Sequence, residues 1–237
     1  MHSRIRSTDL LFLPGMMCDA SLWRAQEEAL GDTHRIHHGD ITQDESVGAI
    51  ASRVLAVAAP SFALAGLSMG GIVALEMWRQ APERIERLAL LDTSFRGDPP
   101  ERRRMRDRQI AEVKQGQLGV ILRDELKPRY LASCHRHDSR LLDRALHMGL
   151  ALGPDVFARQ SLALRDRPDS SATLAGISCP TLVLCGEEDS LCTPALHREM
   201  AAEIPGALLE IVRDCGHLST MEQPRAVNDA LRAWLRQ

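Results

Sequence analysis

The stretch Ala65-Gly66-Leu67-Ser68-Met69-Gly70-Gly71 lies between two apolar runs of different character. Ser61 to Ala65 reads as a short buried strand, and Ile72 to Trp78 continues as an apolar helix. A G-x-S-x-G turn at such a junction takes the chain sharply from strand to helix. Its glycines permit close backbone approach, and its serine hydroxyl is left standing at a helix N-terminus. A tight turn with an incidental serine would also satisfy the bare pattern, but the strand before it and the helix after it favour Ser68 as a nucleophile.

Outward from this turn, continuous apolar runs bounded by Gly, Pro or Asp recur at Leu10 to Leu13, Arg87 to Leu91, Thr181 to Cys185 and Ala207 to Val212. A weaker run falls at Thr33 to His37. Apolarity without alternation marks parallel strands covered on both faces. Between the runs, Val47, Ile50, Ala51, Val54 and Leu55 repeat at helical spacing. Thr193-Pro194 supplies a cap and a first-position proline, and Val227, Ala230, Leu231 and Trp234 share one face of a terminal helix. The alternation predicts a doubly wound α/β sheet of about six mostly parallel strands. It stops over residues 97–175, where Pro99-Pro100 lead into an Arg-rich stretch and Leu141 to Leu152 and Val156 to Leu164 are helical patterns. Residues 1–96 and 176–237 are therefore expected to form the core. Residues 97–175 are expected to form an all-helical lid above the carboxyl ends of the strands, where open α/β sheets bind ligands.

A serine hydroxyl is a poor nucleophile at neutral pH and needs a base held by a carboxylate. In a strand-turn-helix arrangement of this kind the acid and then the histidine follow the serine along the chain. Asp189 ends Cys185-Gly186-Glu187-Glu188-Asp189, and His217 ends Asp214-Cys215-Gly216-His217. Both follow strand ends, on the edge of the sheet that would hold Ser68. Asp92, after Arg87 to Leu91, is the competing acid and is read as a cap on the loop into the lid. Asp214, Glu187 and Glu188 are read as solvated turn residues.

Leu13-Pro14-Gly15, Gly66-Leu67-Ser68-Met69-Gly70-Gly71, Cys185 to Asp189 and Cys215-Gly216-His217-Leu218 together resemble the α/β-hydrolase superfamily over nearly the whole chain apart from the lid. Within it, the chain is similar to small lidded serine carboxylesterases and to acyl-carrier methyl-ester esterases. The resemblance implies an oxyanion hole built from two backbone N–H groups, those of Met69 and of Met16 in the loop after the first parallel strand. The chain departs from the family pattern in two places. Only nine residues precede Leu10, so the usual N-terminal β-hairpin is expected to be missing. Pro14-Gly15 stands where His-Gly is usual, keeping the glycine turn without its bracing side chain. Haloalkane and epoxide chemistry on this fold uses an aspartate nucleophile, and Ser68 occupies that position.

With 29 Lys+Arg against 32 Asp+Glu, a formal charge of -3 and 44% hydrophobic residues, the composition is that of neither a disordered chain nor a nucleic-acid binder. Pro14 and Gly15 interrupt the first apolar run, so no cleaved signal is expected, and Val54 to Leu67 is too short to span a bilayer. The six cysteines form no C-x-x-C pair and read as reduced thiols in a cytoplasmic protein, Cys18 and Cys215 as packing thiols. His34, His37 and His38 lack partners at ligand spacing, so no metal or cofactor is expected. His135, His137 and His147 read as solvated lid residues. Arg102, Arg103, Arg104, Arg106 and Arg108 read as a wet helix face, and an acyl-carrier protein docking on them is the less favoured reading. Leu, Met and Ala of the lid, with Phe157, would supply a pocket that is mostly aliphatic, since only 3% of residues are aromatic. The expected activity is hydrolysis of a carboxylic ester of a small, largely apolar substrate through an acyl-enzyme. Thioesterase, lactonase, carbon-carbon hydrolase or lyase chemistry could use the same residues, and a non-catalytic ligand receptor is the alternative of another class.

Overall fold

Alternate residues of the central strands feed two separate cores. Leu11 and Leu13, Leu64, Leu88 and Leu90, and Val183 face one side, whereas Leu10 and Phe12, Ala63 and Ala65, Ala89 and Leu91, and Leu182 and Leu184 face the other. Only a sheet covered on both faces uses strands in this way. In the computed structural model, which describes residues 9–237, the sheet has six strands, all parallel, in the order β2-β1-β3-β4-β5-β6. They are β1 (Asp9–Leu13), β2 (Arg35–His38), β3 (Phe62–Leu67), β4 (Ile85–Leu91), β5 (Thr181–Gly186) and β6 (Leu208–Val212). The residues in front of Asp9, on which the expected absence of a hairpin rests, lie outside the described residues.

On the first face pack α2 (Val47–Val57), α3 (Met69–Gln80) and α6 (Pro194–Glu203), and on the second α1 (Arg24–Leu30) and α7 (Pro224–Leu235). The cap read at Thr193 is present, its Oγ1 accepting from Leu196 N at 3.4 Å. β6 departs from the reading of a strand buried on both faces: it is an edge strand, with Leu208 and Leu209 exposed. Among the described residues no helix is long and apolar enough to cross a membrane.

Between β4 and β5 the chain forms helices and turns, chiefly α4 (Pro100–Lys114) and α5 (Ser139–Arg165). α5 breaks at Gly153 (φ 82°, ψ 177°), directly ahead of Pro154. The proline ring bars its predecessor from helical geometry, and the backbone angles taken instead are open to glycine alone. This segment has its own small core of Val113, Leu118, Ile121, Leu122, Val156 and Phe157, into which Met17 from the loop after β1 inserts. The sheet's switch point lies between β1 and β3, because the chain moves from β1 outward to β2 and then crosses back to β3. The loops after β1 and β3 therefore face one crevice at the carboxyl end of the sheet.

Candidate active site

Ser68 sits in that crevice with φ 54° and ψ −115°, a conformation that costs a non-glycine residue about 1–3 kcal/mol. The surroundings impose it. Ser68 N donates to Leu91 O at 2.9 Å, and Ser68 O accepts from Thr93 Oγ1 at 2.6 Å as well as from Gly71 N and Ile72 N at the start of α3. A Cβ on Gly66 would overlap Gly70 O, and one on Gly70 would overlap Leu13 O, so only glycine lets strand, turn and β1 loop close together. A Cβ on Gly15 would stand 3.5 Å from Ser68 Cβ, which places the loop after β1 against the serine.

The structure brings Ser68, Asp189 and His217 into one hydrogen-bonded line. His217 Nδ1 donates to Asp189 Oδ2 at 2.8 Å, which leaves Nε2 to accept the Ser68 hydroxyl at 2.9 Å. Asp189, buried in the loop after β5, is held by Leu191 N at 2.8 Å and Cys192 N at 3.0 Å, both donating to Oδ1. His217 is positioned from behind, its N–H donating to Tyr130 O at 2.7 Å. Burial works against the imidazolium, but the charge and hydrogen bond of Asp189 outweigh it and raise the His217 pKa above its ordinary 6.5.

Met16 and Met69 both line the cavity in front of Ser68. Met69 opens α3, so its N–H has no partner within the helix. In the loop after β1, Met17 N–H donates to Gln160 Oε1 of α5 at 2.8 Å, whereas Met16 N–H has no partner among the described residues.

Other residues differ from their sequence reading. Asp92 does not cap the loop into the helical segment: it is fully buried, Oδ1 accepting from Gly186 N at 3.0 Å and Oδ2 from the hydroxyl and N–H of Ser219. Burial and the neighbouring Asp189 push its carboxyl up to about 8. Of the α4 arginines, Arg106 is buried and Arg102 half-buried, because residues 102, 105, 106, 109, 110 and 113 share the inward face at helical spacing, while Arg103, Arg104 and Arg108 are exposed. The cavity wall is accordingly apolar in part only, with Leu67, Ile72, Met105, Leu126, Leu164 and Leu191 beside four arginines. Asp214, Glu187 and Glu188 are exposed, and Glu188 accepts from Ser133 N and Oγ. His135, His137 and His147 do not line the cavity.

Three supporting residues went unread in the sequence. Glu222, buried, accepts from Ala132 N at 2.8 Å and Gly216 N at 2.9 Å and so fastens the loop carrying His217. His197, buried with a pKa lowered first by desolvation, accepts Thr93 N–H at 3.0 Å. Gln160 ties α5 to Met17 N and, through Nε2, to Ile41 O at 3.2 Å. Each acts through a partner distant in the chain, and no local pattern announces such a partner.

Two groups, Asp189 with Cys192 and His217, and Asp92 with Cys185 and Asp189, have the proximity of metal ligands. Burial raises both thiols far above their ordinary pKa, away from the thiolate a metal requires, and Asp189 and His217 already bond to each other. His34, His37 and His38 belong to no such group among the described residues. All six cysteines are unpaired, and Cys18, buried in the cavity wall, has its thiol pushed up to about 12.

A thermophilic esterase from Thermogutta terrifontis, solved with malate bound, superposes with a TM-score of 0.89 at 33% identity over 97% of this chain and 90% of that one. A hydrolase from Pseudomonas aeruginosa PA01 follows the same course with a TM-score of 0.85 at 27% identity, covering 98% and 91%. A pimeloyl-(acyl-carrier protein) methyl ester esterase of Nitrosomonas europaea is 26% identical over 94% of this chain and 95% of its own length. The pattern shared by the alpha/beta hydrolase family matches residues 10–230, and with a serine turn at the switch point of an all-parallel sheet the chain belongs to that family.

Proposed function

We propose that the protein hydrolyses a carboxylic ester through an acyl-enzyme formed on Ser68. The observation that carries this reading is the line from Asp189 through His217 to Ser68, which ends at a strained serine facing a cavity. His217 Nε2 takes the hydroxyl proton as Ser68 Oγ attacks the carbonyl carbon, and Asp189 stabilises the imidazolium that forms. The N–H groups of Met16 and Met69 would receive the oxyanion; Met17 is not available, because its N–H is spent on Gln160. His217 then returns the proton to the leaving alcohol, and a water activated by the same nitrogen releases the acid.

The relatives from Thermogutta terrifontis and Nitrosomonas europaea are both ester-cleaving enzymes by description, which supports the reaction class. In this reading residues 97–175 act as a lid on the core of residues 1–96 and 176–237, since Met105, Leu126 and Leu164 wall the cavity from the helical side. The cavity, about 110 Å³, is smaller than the ~150 Å³ that accepts a benzene ring, which favours a short acyl group. A series of p-nitrophenyl esters should therefore be cleaved fastest at short chain length. Ser68→Ala should lower kcat by about 10⁶-fold with the melting temperature kept, and a serine-directed phosphonate should add its mass at Ser68. A folded Ser68→Ala protein with undiminished turnover would remove the acyl-enzyme.

A further inference from the structure

The cavity in front of Ser68 is lined by Arg102, Arg106, Arg129 and Arg167 and by no aspartate or glutamate. Behind its wall, the fully buried carboxylate of Asp98 lies 3.9 Å from Arg102 Nη1, 2.5 Å from Arg106 Nε and 2.9 Å from Arg167 Nη2. One anion thus faces three guanidinium groups, and positive charge is left over where little water screens it.

The arginines are not equivalent. Arg167 is engaged by the protein: Nε donates to Arg96 O, Nη1 donates to Leu164 O, and Nη2 is ion-paired with Asp98 Oδ1 at 2.9 Å. Burial, and then the repulsion of Arg106 and Arg102, hold its pKa below the ordinary value although Asp98 opposes them. Arg106 bonds to an oxygen through Nε alone. Its Nη1 lies 3.7 Å from the thioether of Met16, a weak acceptor, and its Nη2 has no partner among the described residues, although the side chain is only 11% exposed. A guanidinium edge without an acceptor, beside a cavity without carboxylates, is placed to donate to a bound anion. Its free edge lies beside the loop that carries Met16 N–H, so an anion there would be a few atoms from a carbonyl attacked by Ser68. Tyr130 and Gln109 line the same wall, the Gln109 amide already donating to Glu125 Oε2 at 2.9 Å.

We propose that Arg106, with Arg102 beside it, receives a carboxylate of the substrate, so that the ester cleaved at Ser68 is a small anionic one such as a half-ester of a short dicarboxylic acid. The proposal rests on the hydrolase reading for its chemistry, but its recognition half can be tested without turnover. Two pairs of esters matched in length are compared near neutral pH: mono-p-nitrophenyl succinate against p-nitrophenyl butyrate, and O-acetylglycolate against ethyl acetate. The wild type should prefer the anionic member of at least one pair by ~10- to 100-fold in kcat/KM, the range of a charged hydrogen bond. In Arg106→Gln that ratio should collapse toward one, whatever the absolute rates, and Arg106→Lys should restore part of it. If Arg106→Gln fails to fold, Arg102→Gln, at a half-exposed position, should still lower the ratio. Calorimetry on Ser68→Ala supplies the second readout, with succinate binding that Arg106→Gln weakens. Succinate binding without ester cleavage would sink the hydrolase reading and keep this one. Ester cleavage with no anionic preference in either pair, and no succinate binding up to about 10 mM, would overturn anion recognition and leave the hydrolase standing.

Discussion

His217 owes its basicity to opposing influences, burial against the imidazolium and Asp189 for it, with a raised pKa as the outcome. In the proposed reaction His217 acts as the base and must be neutral, so kcat/KM should rise with pH through an ionisation above 6.5. Asp189→Asn should move that inflection downward and lower kcat by up to about 10⁴-fold, since an asparagine favours the wrong tautomer. An inflection that stays in place would show that another group sets it. Asp92 invites a different measurement. In the folded chain it keeps its proton until about pH 8, whereas the unfolded carboxyl releases it near 3.8. The folded state therefore binds more protons between those values, and this group's contribution to stability falls as pH rises through that window. The melting temperature should drop less between pH 5 and about pH 8 in Asp92→Asn than in the wild type. Equal drops would mean that Asp92 is ionised in the native protein.

At the scale of elements, the loop after β1 is held between the sheet and α5 rather than by its own turn. Gln160 reaches from α5 to Met17 N–H and Ile41 C=O, both buried with it. Gln160→Leu fills the same space but leaves two polar groups unmatched, at about 1–3 kcal/mol each. The melting temperature should fall by about 2–4 °C per kcal/mol, and kcat should fall more than KM rises, because Met16 N–H loses its placement. A variant with unchanged stability and kcat would show that the loop supports itself. Elements were legible where one local rule decided them: the G-x-S-x-G junction, the Thr193 cap and the two-faced strands. They were misread where position in the sheet or bundle decided. The apolar run of β6 carries no sign that only one strand neighbours it, and the arginines of α4 look alike until the helix is docked and one face turned inward.

For the molecule as a whole, the six unpaired cysteines mean that no crosslink contributes to stability. A thiol reductant should leave the melting temperature unchanged within about 1 °C, whereas removing a disulfide would cost about 2–4 kcal/mol. A larger drop would reveal a bond between cysteines that are separate here. The chain order of Ser68, Asp189 and His217, each just past an apolar strand, was determined by the sequence itself. Backbone sterics and hydrophobic periodicity act over a few residues and are written there in full. The Asp98 arginine cluster, the Gln160 tether, the fastening by Glu222 and the buried state of Asp92 were decided only by tertiary structure. Each depends on at least one group brought from a distant stretch of chain, Arg167 to Asp98, Gln160 to Met17, Glu222 to Ala132 and Ser219 to Asp92, and burial and partnership are set by that approach.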